Sequence, residues 1–129
     1  MFTRLLSVPD ENDNMMDINI TRIDGIDVIE LVGRFDTNSA SDVQETITPL
    51  AKPGGKILLD MSQVSYMSSA GLRILLMLYR TINDHVGHIV LVGLNEELID
   101  VMAITGFLEF FVIAEDSTQG IALLKKIKS

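Results

Sequence analysis

The sequence predicts an α/β domain that opens with a β-hairpin and continues as alternating helices and strands, a mixed sheet of about five strands with about four helices. Three observations carry this reading. An Asp24-Gly25 dipeptide, a strong tight-hairpin signal, separates two runs of spaced apolar residues. Lys56-Ile57-Leu58-Leu59-Asp60-Met61 and His88-Ile89-Val90-Leu91-Val92-Gly93 are nearly continuous apolar runs, as strands buried on both faces require. The stretches between and after them show helical spacing behind a capping residue. A length of 129 residues suits one domain with one proper core.

Taken in order, residues 1–14 end in Pro9-Asp10-Glu11-Asn12-Asp13-Asn14, which is polar, acidic and aperiodic. They are expected to form a flexible leader ahead of a domain spanning 15–129. Ile18, Ile20 and Ile23 alternate loosely up to the hairpin turn. Ile26 to Phe35 alternates in its first half, which suits a half-buried antiparallel pair. Asp36-Thr37-Asn38-Ser39 then offers several N-caps. Val43, Ile47 and Leu50 share one face of a helix over Ala40 to Leu50, and Pro53-Gly54-Gly55 stops it.

The strand Lys56 to Met61 is followed by Ser62-Gln63-Val64-Ser65-Tyr66, which reads as a connection. Ser68-Ser69 opens the longest helix, expected over Ala70 to Val86. In it Leu72, Leu75, Leu76 and Tyr79 form a core-facing set. Ile74, Met77 and Leu78 point elsewhere, either into neighbouring elements or into an apolar patch beside Ser69. After the strand at His88, Asn95 caps a helix that runs to Thr105 with Gly106 past its end. Phe110-Phe111-Val112-Ile113 reads as the last strand. Asp116-Ser117 caps a final helix that turns Ile121, Leu124 and Ile127 toward the core.

Composition excludes several functions. The net charge is −8, from 18 acidic and 10 basic residues. Such a chain repels phosphate backbones and anionic lipid unless it carries a basic patch. Lys125, Lys126 and Lys128 make only a short cluster at a helix end, so neither direct nucleic-acid binding nor membrane association is expected. The absence of cysteine rules out disulfides and thiolate metal sites. His85 and His88 flank Gly87 where a helix stops, and no metal or other cofactor is expected. The apolar stretch after Arg4 is only Leu5-Leu6-Ser7-Val8, too short for a secretory signal. A cytoplasmic protein follows as the default, with its oligomeric state open.

The chemistry concentrates in Tyr66-Met67-Ser68-Ser69-Ala70-Gly71-Leu72-Arg73. A buried strand leads into a long apolar helix here, and partners meet parallel α/β sheets at the loops after the carboxyl ends of strands. A serine at this place can simply cap the helix. It can also accept a phosphate of roughly −1.5 to −2 charge, which the helix dipole tolerates. The local pattern leaves both readings open.

The stretch Ile57 to Arg80, taken with Leu31-Val32-Gly33-Arg34-Phe35-Asp36, resembles the STAS family of anti-sigma factor antagonists. The resemblance covers about residues 16–128 and rests on two separated motifs and the order of elements. It implies a STAS-like single domain that binds a partner in its unphosphorylated form. That partner is a GHKL-type serine kinase doubling as an anti-sigma factor, released when the kinase phosphorylates the antagonist. A PP2C-type phosphatase restores the complex, and ATP and magnesium belong to the kinase.

Residue by residue, the resemblance puts the phosphorylated serine at Ser69 and the turn glycine at Gly71. Asp36 matches the acidic residue after the second strand. Ser68, Ala70, Arg73 and Ile74 fall on the same partner-binding turn. The family often has aspartate where this chain has Ser68, which creates a second hydroxyl and leaves Ser68 as the alternative acceptor. A STAS module that binds a ligand or scaffolds a complex without phosphorylation is the alternative function.

Catalysis is not expected. A nucleophilic Ser69 would need a base and an oxyanion site, and the turn lacks Gly-x-Ser-x-Gly. His85 and His88 lie beyond a helix of about 16 residues, roughly 24 Å long. A phospho-aspartate receiver would need a lysine near the last strand, and Phe111-Val112-Ile113-Ala114-Glu115 offers none.

Overall fold

The computed structural model describes residues 16–127; the expected leader 1–14 and Lys128 lie outside the described residues. The hairpin forms as its sequence dictates. Asp24 (φ 51°) and Gly25 (φ 81°) both take the left-handed backbone that a two-residue primed turn needs. The turn joins β1 (Asp17–Ile23) to β2 (Ile26–Phe35), paired antiparallel with Asp17 opposite Val32 and Ile23 opposite Ile26.

Strands β3 (Lys56–Met67), β4 (His88–Val92) and β5 (Val112–Ala114) then add in parallel, giving one five-stranded sheet in the order β1-β2-β3-β4-β5. The parallel crossovers are the helices α1 (Thr37–Ile47), α2 (Ser69–Asp84) and α3 (Glu96–Ile104), and α4 (Ser117–Lys125) follows β5. The mixed sheet with four helices is the predicted architecture.

Apolar side chains bury on both faces of the sheet. On one face Val43 and Ile47 of α1, Leu72, Leu75 and Leu78 of α2, and Leu98 and Met102 of α3 pack onto Ile29, Leu31, Leu59 and Leu91. On the other, Leu124 of α4 closes over Ile26, Leu58, Val90 and Val92, with Ile121 and Ile127 at the margin. Leu58 and Leu59 thus serve opposite cores, which explains the unbroken apolar run of a central strand.

Four expectations need correction. Strand β3 does not end at Met61 but continues to Met67. It carries one extra residue relative to β2 between Glu30 and Val32 and another between Gly33 and Arg34. These bulges turn Met61, Val64 and Met67 inward at intervals of three, with exposed residues between. The residues read as a connection are therefore strand. At the other end of the sheet, Phe107–Phe110 forms a short 3-10 turn, and β5 begins only at Val112. Helix α1 stops at Ile47, with Thr48–Leu50 a further 3-10 turn.

The fourth correction concerns α2. Gly71, Leu72, Ile74, Leu75, Leu78 and Ile82 are its buried residues, so the core stripe is rotated by roughly 80° from the expected one. Ile74 and Leu78 lie in the core because α2 packs against α1 as well as the sheet. Leu76 and Tyr79 take the flank, where the Tyr79 ring meets Phe110 and Phe111 at centroid distances of 5.7 and 5.4 Å.

Candidate functional site at the start of α2

Every helix begins at the carboxyl edge of a parallel strand behind a capping side chain. Asp36 accepts from the Asn38 N–H at 3.0 Å, Asn95 from Leu98 at 2.8 Å and Asp116 from Gln119 at 2.9 Å. At α2 the cap is Ser68, with extended backbone (φ −87°, ψ 176°) and Oγ accepting from the Gly71 N–H at 3.3 Å. Its carbonyl takes the Leu72 N–H at 2.9 Å as the first intrahelical bond, so the Ser68 hydroxyl satisfies one of the donors that a helix start leaves over.

Ser69 is different. It is the first helical residue, it is exposed, and among the described residues its hydroxyl makes no hydrogen bond. The two adjacent serines thus divide between an engaged hydroxyl and a free one.

The turn is clamped onto the end of β2. The Ser68 N–H donates to the Phe35 carbonyl at 2.9 Å. At Gly71 a Cβ would stand 2.4 Å from that same carbonyl oxygen and 3.0 Å from the Phe35 ring. The requirement for glycine is therefore close approach between helix and strand rather than an unusual dihedral. Phe35 itself is fully buried.

Asp36 follows directly and is doubly committed. Besides capping α1, its backbone N–H donates to Ser39 Oγ at 3.0 Å in a reciprocal capping box. Its second carboxylate oxygen takes the Arg34 Nε at 3.4 Å. The Arg34 guanidinium lies 4.4 Å above the ring of Tyr66, which sits opposite it on β3.

The site residues expected from sequence therefore sort clearly. Asp36, Ser68, Ser69, Ala70 and Gly71 are brought together where β2, β3, α1 and α2 meet. Arg73 is exposed one turn along α2. Ile74 is only 8% exposed and supports the turn from inside, so Ile74 and Leu78 follow the first of the two readings left open for them, packing into neighbouring elements and not an apolar patch beside Ser69. The partly exposed apolar residue on that side is Met77. Arg34 and Tyr66 were missed as neighbours because Tyr66 was assigned to a loop; a strand reading would have paired them.

The other features singled out lie away from the start of α2. The His85 Nδ1–H donates to the Thr81 carbonyl, 2.8 Å away at the far end of α2, and His88 begins β4. Among the described residues no group of three or more His, Cys, Asp or Glu could hold a metal, and no helix is long and apolar enough to cross a membrane. An apolar cleft of about 450 Å³, bounded by Tyr79, Ile82, Phe110, Val112 and Leu123, also lies toward the far end of α2.

The STAS domain model matches residues 17–120. The chain belongs to the STAS family. Its STAS relatives include BtrV of Bordetella bronchiseptica, 29% identical over 111 residues, covering 85% of this chain and 96% of that one. The anti-sigma-B factor antagonist of Bacillus subtilis is 30% identical over 93 residues, covering 72% and 85%.

Solved STAS structures agree in fold. An anti-sigma factor antagonist from Mycobacterium paratuberculosis superposes with TM-score 0.77 at 21% identity, covering 93% of this chain and 99% of that one. The unphosphorylated form of the anti-sigma factor antagonist SpoIIAA superposes with TM-score 0.69 at 17% identity, covering 86% and 100%. This STAS domain is thus grouped by sequence with anti-sigma factor antagonists, which are binding regulators.

Proposed function

We propose that this STAS protein is a phosphorylation-switched antagonist acting by protein binding and not by catalysis. Unphosphorylated, it binds an anti-sigma factor that is also a GHKL-type serine kinase; phosphate on Ser69 releases it, and a PP2C-type phosphatase resets it. The observation that carries the reading is the division of labour between adjacent serines. The Ser68 hydroxyl is engaged as the cap of α2, whereas the Ser69 hydroxyl is exposed and unengaged. A kinase needs the second kind.

The relatives support the same reading. One is named an anti-sigma-B factor antagonist, and SpoIIAA is known in both unphosphorylated and phosphorylated forms. The docking face comprises exposed Arg73 and the half-buried Asp36, Ser68 and Ala70, held in place by buried Gly71 and Ile74. A phosphate placed there acts on the partner by repulsion and desolvation while the helix start tolerates it.

The test is labelling with candidate GHKL kinases and ATP, read by intact mass on wild type, Ser68→Ala and Ser69→Ala. One added phosphate is expected on wild type and Ser68→Ala and none on Ser69→Ala. Labelling that survives Ser69→Ala moves the acceptor elsewhere. If none of the three is labelled, the alternative of an unphosphorylated ligand-binding module gains, and the apolar cleft near Tyr79 and Phe110 is the feature that favours it.

A further inference from the structure

We propose that Arg73 is the internal counterion of a phosphate on Ser69, so that modification both adds negative charge and withdraws a positive one from the docking face. The inference rests on Ser69 being the acceptor and adds how the switched state is built.

Ser69 and Arg73 are four residues apart on α2, and both are exposed. Residues at that spacing are neighbours, with Cβ atoms roughly 5–6 Å apart. Helical side chains lean toward the N-terminus, so the Arg73 stem runs back over the first turn, where Ser69 stands. Its guanidinium can meet a phosphate with two parallel N–H donors, a pairing that a lysine ammonium does not reproduce.

Availability singles Arg73 out. Among the described residues it has no ion pair and no hydrogen-bonded side-chain partner. Arg34, the other guanidinium near this edge, is tied to Asp36 at 3.4 Å and stacked on Tyr66 at 4.4 Å. Arg80 lies about two turns farther along the helix. Phosphorylation would change the charge of this first stretch of α2 from one positive unit to about −0.5 to −1. A partner that had engaged Arg73 through a carboxylate would lose that contact as well as meeting the new charge.

The test needs no kinase. Phosphoserine is installed at position 69 of the full chain during translation, and its second ionisation is followed by phosphorus NMR. The charged side chains on the neighbouring elements include Asp36 and Arg34 at the β2–α1 junction and Asp42 and Glu45 on α1, the helix that packs against α2. The carboxylates among them raise the midpoint, so a lowered midpoint reports a cation.

Arg73→Ala is expected to raise the midpoint by roughly 0.3 units or more relative to phosphorylated wild type. Arg73→Lys should recover part of that difference, 1 M salt should shrink it, and Arg34→Ala should leave the midpoint unchanged. The Arg73 Nε–H resonance should also move on phosphorylation. Equal midpoints for wild type and Arg73→Ala overturn the proposal, as does a shift produced by Arg34→Ala instead. Failure of kinase labelling is a separate result and bears only on the acceptor assignment.

Discussion

Replacing Gly71 with alanine tests the clamp between α2 and β2. In an ordinary exposed helix this change stabilises by about 1 kcal/mol, because glycine is the poorer helix former. Here the added Cβ would sit 2.4 Å from the Phe35 carbonyl oxygen and 3.0 Å from two ring atoms. The oxygen belongs to backbone held in the β2–β3 ladder, and the ring is fully buried, so neither yields by a simple rotation. Overpacking of this kind costs about 1–3 kcal/mol, and displacing the Phe35 carbonyl also strains its hydrogen bond from Ser68, worth about 1 kcal/mol.

After the propensity gain, a net loss of about 1–3 kcal/mol remains. In a domain of this size that lowers the melting temperature by about 4–11 °C. Thermal and urea denaturation followed by circular dichroism measures it, with unchanged m-value marking an unchanged unfolded state. The sign is decisive. A Gly71→Ala protein as stable as wild type, or more so, refutes the argument that close approach dictates the glycine.

Two further outcomes follow from the caps. Ser68→Ala should lose about 1 kcal/mol of stability, whereas Ser69→Ala should stay within about 0.5 kcal/mol of wild type, both by urea denaturation; equal losses would mean that the two hydroxyls are not divided as described. Asp36→Ala should cost about 1–2 kcal/mol by the same assay, and Asp36→Asn should recover most of it because asparagine caps equally well. A loss that Asp36→Asn does not recover would point to the Arg34 ion pair as the larger contribution.

Much of the fold was legible because local chemistry and global architecture agree in this chain. Asp24-Gly25, Asn95 and Asp116 each do what their residue types do locally, and the short apolar runs at Ile57 and Ile89 carry the pattern of buried strands. The failures have one physical source, which is tertiary context overriding a simple period. Two bulges turn the alternation of β3 into a spacing of three at Met61, Val64 and Met67, so a strand looks like a polar connection. In α2, apolar residues exceed what one stripe needs, and the sequence pattern could not say that α1 would cover Ile74 and Leu78.

The site was legible in outline. Ser68, Ser69 and Gly71 stood out as a helix start, but which serine caps depends on a single residue of helix phase, beyond the reach of pattern. Gly71 was expected for the turn, and its actual reason, the Phe35 carbonyl, lies more than thirty residues away in the chain.

The pairing of β3 with β2 all the way to Met67 has a bearing on what kind of signal this domain can send. Because the ladder runs to the residue before the cap, and the cap itself bonds to Phe35, the start of α2 has little freedom to hinge, swing or unwind. A phosphate at Ser69 would therefore be written on a rigid page. The two states would share one backbone outline and differ in electrostatic potential alone, and discrimination between them would fall to the reader, a partner whose own surface must sense charge where shape says nothing.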